Sequence, residues 1–124
     1  MPKRTPEQPP LMCESLKNEA ELQRFVTRIA INHGWRVHHT ARAQLRKGRW
    51  LTPVRGHVGF PDLVLVRPPQ LLIVELKSAS GRVKPEQQLW IDLMRACGVD
   101  ARIWRPTDII EILQTLCNKP AAPP

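Results

Sequence analysis

Two carboxylates and an amine stand at the ends of two short apolar segments. Asp62 directly precedes the run 63–66, and Glu75 and Lys77, two residues apart, follow the run 71–74. Branched apolar runs of this length predict buried strands. Burial of such a charged cluster is costly unless a cation or a chemical role compensates for it. The spacing therefore indicates a site for a hard divalent metal that hydrolyses phosphodiesters.

Strand alternation decides which of these groups can act together. Glu75 and Lys77 point to the same face, about 7 Å apart along the strand. Asp62, Glu75, a backbone carbonyl near Leu76 and waters would supply the oxygen ligands that Mg²⁺ or Mn²⁺ prefers. Such an ion would polarise the phosphate, and Lys77 would orient the attacking water and a phosphate oxygen. We expect direct in-line hydrolysis with no covalent intermediate.

A helix must lie beside these strands. Asn18 is a suitable N-cap, Glu21 completes a capping box, and Gly34 ends a helix that runs to about His33. On this helix Glu19 falls roughly 50° from the centre of the apolar stripe, so it faces the sheet. Glu19 could add a metal ligand or hold a water, or it could simply be an acid that is favourable near a helix N-terminus.

The second helix offers a polar side chain at the edge of its apolar face. Pro85 begins a helix that runs to about Cys97, and Gln87 aligns there with Trp90, Ile91 and Met94. Gln87 would reach the sheet near the carboxylates, with Trp90 as packing behind it. Considered alone, a glutamine in such a position is a boundary residue.

The net charge of +8 is concentrated in one segment. No acidic residue lies between Leu22 and Pro61, and the remaining basic and acidic residues cancel. The candidates for DNA contacts are Arg42, Arg46, Lys47, Arg49 and Arg55. A localised basic segment beside carboxylates is typical of binding to the phosphate backbone of nucleic acid, although a solvated basic surface is the simpler alternative.

The remaining elements complete an α/β domain with a mixed sheet. Strands are predicted over about 35–40, 62–67, 71–77 and 100–104, a loop or loose hairpin over 41–59, and a last helix over about 107–116. We expect one domain over residues 15–117, between proline-rich disordered tails at 1–14 and 118–124. Three scattered cysteines, no signal-peptide pattern and no apolar run of about 20 residues suggest a cytoplasmic protein without a membrane span.

Other functions fit less well. The four histidines are spaced too irregularly for zinc, and no nucleophile elbow or P-loop is present, so neither a serine hydrolase nor a nucleotide cofactor is expected. A DNA-binding module that does not cut stays open as an alternative. A third possibility is an oligomerisation role for the last helix, through its apolar residues Ile109, Ile110, Leu113 and Leu116.

These motifs together resemble a known family. The proline-aspartate and Glu-x-Lys pattern is similar to the PD-(D/E)XK nuclease superfamily. The segments 59–62 (GFPD), 75–78 (ELKS) and 87–90 (QQLW), followed by Gly98, resemble the small stand-alone VRR-NUC proteins often carried by phages. The likeness extends to 19–22 (EAEL), 34–39 and 52–54, and covers roughly residues 18–116. His57-Val58 departs from the family pattern, which has an acid and a small residue there.

The resemblance implies a restriction-endonuclease-like αβββαβ core, with a mixed four-stranded sheet flanked by helices, and a Mg²⁺- or Mn²⁺-dependent DNA endonuclease. It implies that Glu19, Asp62, Glu75 and Lys77 are catalytic, and that Gln87 helps to order the site. His39 sits where relatives also have a histidine, which implies a DNA-facing or site-lining role, or equally a packed one. Relatives are associated with flaps and four-way junctions, and some resemble dimeric Holliday-junction resolvases, so branched DNA and a homodimer are expected.

Overall fold

The computed structural model describes residues 18–40, 43–44, 50–51 and 55–118, with the backbone alone at 43–44 and 50–51. The elements in chain order are helix α1 (Glu19–Asn32), strands β1 (Arg36–His39), β2 (Ala43–Gln44), β3 (Trp50–Leu51), β4 (Leu63–Arg67) and β5 (Gln70–Leu76), helix α2 (Pro85–Ala96), strand β6 (Asp100–Trp104), a 3₁₀ turn (Pro106–Asp108) and helix α3 (Ile109–Cys117). Among the described residues, no helix is both long and apolar enough to cross a lipid bilayer.

The central sheet is mixed. Its strand order is β1-β4-β5-β6, in which β1 pairs with β4 and β4 with β5 in antiparallel fashion, whereas β5 and β6 are parallel. The predicted mixed four-stranded sheet flanked by helices is therefore confirmed. β2 and β3 form a separate antiparallel ladder within the segment predicted as a loop or loose hairpin.

The two faces of the sheet are covered by different helices. Leu72, Val74 and Leu76 of β5 join the larger core cluster, to which α1 and α3 contribute. Ile73 joins the smaller cluster with Ile91 of α2. Because side chains alternate along a strand, β5 is buried on both sides, as its continuous apolar run predicts.

Helix α1 begins and ends where its sequence predicts. The side chain of Asn18 accepts a hydrogen bond from the backbone N–H of Glu21 over 2.9 Å, and Gly34 follows the helix with a φ of +84°. This φ suits glycine, which carries no Cβ. The helix ends at Asn32, one residue before the predicted end, and His33 is its exposed C-cap residue.

Helix α3 is shorter than predicted because a 3₁₀ turn occupies 106–108. Ile112 and Leu116 form its buried side, Ile109 packs against the core, and Ile110 is exposed. The helix therefore serves chiefly as core packing. Residues 1–17 and 119–124, which include nearly all of the predicted disordered tails, lie outside the described residues.

Candidate active site

The register of the sheet brings the acidic residues to one edge. Leu63, the first residue of β4, pairs with His39, the last residue of β1, and with Val74 of β5, so these three residues form one row across the sheet. Asp62 precedes Leu63 and Glu75 follows Val74, and each is therefore one step beyond this aligned row. Since side chains alternate along strands, Asp62 and Glu75 lie on the same face of the sheet, the one that α2 covers.

Helix α1 adds the third carboxylate. Glu19 occupies its first turn, and one carboxylate oxygen from each of Glu19, Asp62 and Glu75 lies within 4.8 Å of the others. A cleft of about 320 Å³ opens beside them and is lined by Glu19, Ala20, Gln23, His39, Thr40, Asp62 and Leu76. The structure thus brings together three acids that are far apart in the chain, and two of them, Glu19 and Asp62, line the cleft.

Asp62 is held by the neighbouring strand. Its Oδ2 accepts a hydrogen bond of 2.8 Å from the backbone N–H of Leu76. A carboxylate oriented by a backbone donor stays in place without needing a mobile side chain as its partner. Leu76 lines the cleft, but its side chain belongs to the buried core. The backbone of Leu76 is therefore the part that suits the predicted carbonyl ligand.

Glu75 is the most enclosed of the three acids. It is 1% exposed, and Oε1 lies 3.8 Å from the Nζ of Lys77, which is 7% exposed. The Nε2 of Gln87 donates a hydrogen bond of 3.3 Å to the same oxygen. Gln87 is fixed in turn, since its Oε1 accepts from the backbone N–H of Lys84 over 3.0 Å. Four of the residues singled out in the sequence therefore surround one carboxylate: Asp62, Lys77, Gln87 and, from α1, Glu19.

The electrostatics of Glu75 reflect this enclosure. The pKa of Glu75 is raised to about 9, chiefly by desolvation, with a hydrogen bond and repulsion from Asp62 and a smaller repulsion from Glu19 contributing, while Lys77 opposes the shift. Oε2 of Glu75 is buried and has no hydrogen-bond partner among the described residues. A buried carboxylate oxygen without a donor, beside two other acids, is an arrangement that a cation would stabilise.

Comparison with known proteins agrees with this geometry. The model of the VRR-NUC domain matches residues 19–107, a span that includes all three acids, Lys77 and Gln87. The chain belongs to the VRR-NUC family. No curated protein matches it in sequence.

Two solved structures have folds similar to that of this VRR-NUC chain. One, described as a VRR_NUC domain, has a TM-score of 0.56 and is 20% identical, with 78% of this chain and 94% of the other covered. A second, described as a VRR_NUC domain protein, has a TM-score of 0.55 and is 19% identical, over 79% and 86% of the two chains. Membership in this nuclease family supports a DNA nuclease in general, with DNA as its substrate.

The VRR-NUC site suits a divalent cation on its own chemistry. Carboxylate oxygens within 4.8 Å of one another can share one ion, and they are the donors that Mg²⁺ or Mn²⁺ favours. The buried Oε2 of Glu75 is a ready ligand atom. Oδ2 of Asp62 accepts a hydrogen bond from the backbone N–H of Leu76, and the carboxylate has a second oxygen that can bind an ion.

The residues predicted to bind DNA are less completely described. His39 is exposed and lines the cleft, so it is not packed into the core. Arg55 is exposed as well. Arg42, Arg46, Lys47 and Arg49 lie outside the described residues.

Two features near the VRR-NUC site were not found from the sequence. Arg105 donates hydrogen bonds from Nη1 to the carbonyls of Ser78 and Gly81, over 2.8 and 2.7 Å, and so closes the turn directly after Lys77. Phe60 packs edge-on against Trp90. Arg105 is 24 or more residues from its partners, so sequence spacing gave no signal, whereas Phe60 stands inside the GFPD motif.

Proposed function

We propose that this protein is a Mg²⁺- or Mn²⁺-dependent DNA endonuclease that hydrolyses phosphodiester bonds, with a preference for branched DNA such as flaps and four-way junctions. The observation that carries the proposal is the convergence of Glu19, Asp62 and Glu75 within 4.8 Å, with the ammonium of Lys77 3.8 Å from Glu75. Carboxylates and one lysine at a sheet edge suit hydrolysis assisted by a divalent metal.

The residues of the site would have three roles: metal binding, orientation of the reacting groups and positioning of a ligand. Asp62, Glu75, Glu19 and the backbone carbonyl of Leu76 would hold the ion, which when bound would offset the charge that develops on the scissile phosphate. Lys77 would orient the attacking water and a phosphate oxygen. Gln87 would keep Glu75 in its binding rotamer, because its Nε2 donates to Oε1.

DNA would reach this site over the basic segment that precedes it. The absence of acids between Leu22 and Pro61, and the exposure of His39 and Arg55, favour contact with phosphates. His39 would face the DNA from the wall of the cleft, and Arg42, Arg46, Lys47 and Arg49 would add charge. The preference for branched DNA is the one that the family resemblance implies.

The proposed enzyme would be a small protein that needs only its metal ion and DNA. A single nuclease domain over 15–117 would act in the cytoplasm, without a nucleotide cofactor, and as a homodimer if it makes paired cuts in a four-way junction. Paired cuts require two related sites, which a two-fold dimer supplies.

The test is a cleavage panel. Supercoiled plasmid, a flap, a four-way junction and a fully paired duplex are incubated with Mg²⁺, Mn²⁺, Ca²⁺ or chelator. We expect cutting with Mg²⁺ or Mn²⁺, fastest on the branched DNAs, and loss of at least about 100-fold in Asp62→Asn and Lys77→Met. Asp92→Asn is the matched control, because Asp92 is exposed on α2 and bonds only Gln88 among the described contacts.

The outcomes separate the alternatives. Cutting that persists in both Asp62→Asn and Lys77→Met would come from another nuclease and would reject the assignment. Metal-independent, salt-sensitive DNA binding by the wild type, with no cleavage under any metal, would instead establish the non-cleaving DNA-binding module. Cutting of all four DNAs at equal rates would retain the nuclease and remove the structural preference.

A further inference from the structure

An exposed aromatic side chain stands just before the carboxylate cluster. Phe60 is 45% exposed and Val58 is 58% exposed, although both are apolar. Phe60 is two residues from Asp62, a separation of at most about 7 Å along the backbone. An apolar pair held in solvent beside a site for DNA calls for an explanation, because neither residue contributes to the described core clusters.

The segment that carries Phe60 is held rigidly against α2. The indole Nε1 of Trp90 donates a hydrogen bond of 2.9 Å to the carbonyl of Val58, and the rings of Phe60 and Trp90 meet edge-to-face, 5.2 Å apart at 80°. Gly59 has a φ of +97°, and a Cβ there would lie 2.7 Å from the carbonyl oxygen of Glu86. The aromatic side chain is therefore fixed in its exposed position before any ligand binds.

Its surroundings favour nucleic acid as the ligand. Arg55 and His57 are exposed just before this pair, and no acid precedes it as far back as Leu22. In the chain, the exposed ring of Phe60 thus lies between these basic residues and Asp62 of the proposed active site. Proteins that hold unpaired strands combine these two elements, a cationic track for phosphates and an aromatic face for bases.

We propose that Phe60, supported by Trp90 and flanked by Val58, is a stacking platform for an unpaired nucleobase next to the scissile phosphate. This inference rests on the proposed nuclease function and deepens it, since it names what the enzyme would recognise in branched DNA. A base in a duplex is already stacked on both sides. Only a base at a flap, a junction or a gap has a free face for the ring of Phe60, which gives selectivity without reading sequence.

The experiment measures binding in chelator, so that cleavage does not enter. Fluorescence anisotropy compares the full chain and its Phe60→Leu variant on a flapped DNA, on the same flap with abasic sites in place of its unpaired bases, and on a fully paired duplex. Phe60→Leu keeps an apolar side chain without a π-face. We expect it to weaken binding to the flap by roughly 5- to 150-fold, and to weaken binding to the duplex far less.

Binding of wild type and Phe60→Leu to the intact and the abasic flap completes a thermodynamic cycle that isolates the contact between Phe60 and the base. The abasic flap keeps every phosphate, so wild-type protein should lose affinity for it by the same factor, and Phe60→Leu should lose little more on it. Phe60→Trp should restore most of the affinity for the intact flap. The emission of 2-aminopurine in the unpaired strand should fall when wild-type protein binds, and should not fall with Phe60→Leu. Leu93→Ala removes an exposed apolar side chain elsewhere, on α2, and serves as the control.

Equal losses on flap and duplex, or undiminished binding of the flap by a folded Phe60→Leu protein, would overturn the platform. Thermal unfolding of each variant shows whether it is folded. If Phe60→Leu is not, the test is carried by the wild-type protein, whose affinity should fall on the abasic flap and which should quench 2-aminopurine in the intact one. Wild-type protein that binds the flap in this way but never cuts would disprove the nuclease and leave the platform standing. Wild-type protein that cuts, with no role for Phe60 in binding, would disprove the platform alone.

Discussion

The side-chain amide of Gln87 joins the start of α2 to the buried carboxylate of Glu75. Its Oε1 accepts from the backbone N–H of Lys84 over 3.0 Å, and its Nε2 donates to Oε1 of Glu75 over 3.3 Å. Because the backbone donor occupies the amide oxygen, the NH₂ group is the end that faces Glu75. One glutamine thus stabilises the helix start and sets the rotamer of a proposed metal ligand.

Loss of this amide should weaken the metal site without removing a ligand. In Gln87→Met, we expect the concentration of Mg²⁺ needed for half-maximal cleavage to rise by roughly 10- to 100-fold, as for other partners that orient metal ligands. A metal titration of the cleavage rate measures it. Gln88→Met is the control, since the adjacent amide bonds Asp92 over 2.8 Å instead of Glu75. Equal effects of the two substitutions would argue against the orienting role.

The raised pKa of Glu75 should make metal-free stability depend on pH. Burial, together with the neighbouring Asp62 and Glu19, raises that pKa from 4.5 to about 9, so between these values the folded protein keeps a proton that the unfolded chain releases. The free energy of unfolding should therefore fall as pH rises through this window. Glu75→Gln cannot ionise, and in chelator it should exceed the wild type in stability at pH 8 by on the order of 1–3 kcal/mol, but not at pH 5.

Thermal or denaturant unfolding at the two pH values checks this expectation. Glu86→Gln, at an exposed position of α2, should keep the wild-type dependence on pH. Saturating Mg²⁺ should stabilise the wild type and have little effect on Glu75→Gln, since a ligand that binds only the folded state adds to its stability. A Glu75→Gln protein that is less stable than the wild type at pH 8 in chelator would contradict the account.

Arg105 should matter to activity through the turn that follows Lys77. In Arg105→Met, two hydrogen bonds to the carbonyls of Ser78 and Gly81 are lost. We expect a loss of stability of about 1–3 kcal/mol and a fall in kcat of roughly tenfold or more, with KM for DNA changed less. Arg95→Met is the matched control, because its Nε bonds Ala101 of β6 over 2.8 Å, away from Lys77. Similar falls in kcat for both variants would indicate a general loss of stability instead.

Gly59 should tolerate no side chain. Alanine there combines a φ of +97° with a Cβ 2.7 Å from the carbonyl oxygen of Glu86, so the 59–62 segment must move away from α2. We expect Gly59→Ala to lower the free energy of unfolding by about 2–4 kcal/mol and to impair cleavage, because Asp62 lies three residues on.

Gly98→Ala measures the backbone strain by itself, so the difference between the two variants gives the steric part of the effect. Gly98 has a similar φ of +82°, but nothing lies within 4 Å of the added Cβ. Its substitution should cost about 1 kcal/mol, the backbone strain alone, and should leave cleavage unchanged. Chemical denaturation of the two proteins gives the comparison, and equal costs would show that the contact with Glu86 relaxes freely.

Local signals in the sequence determined most of the secondary structure. Asn18 and Gly34 mark the ends of α1, Pro85 begins α2 and Gly98 follows it, because caps and turns depend on the chemistry of a few neighbouring residues. The alternation of β5 also predicted that Glu75 and Lys77 share a side. The 3₁₀ turn before α3 was missed, since its local signals, Pro106 at its start and an Asp108 side chain that accepts from the backbone N–H of Arg105, also suit the first turn of an α-helix.

Only the tertiary structure decided how these pieces meet. The bond from the Leu76 N–H to Asp62 depends on the pairing of β4 with β5, and the contacts of Gln87 and Trp90 depend on which face of the sheet α2 covers. The exposure of Phe60 and the reach of Arg105 to the turn after Lys77 likewise join residues that belong to different elements. Such contacts are selected by the packing of the whole domain, because a residue's spacing in the chain carries no information about a partner that folding brings to it from elsewhere.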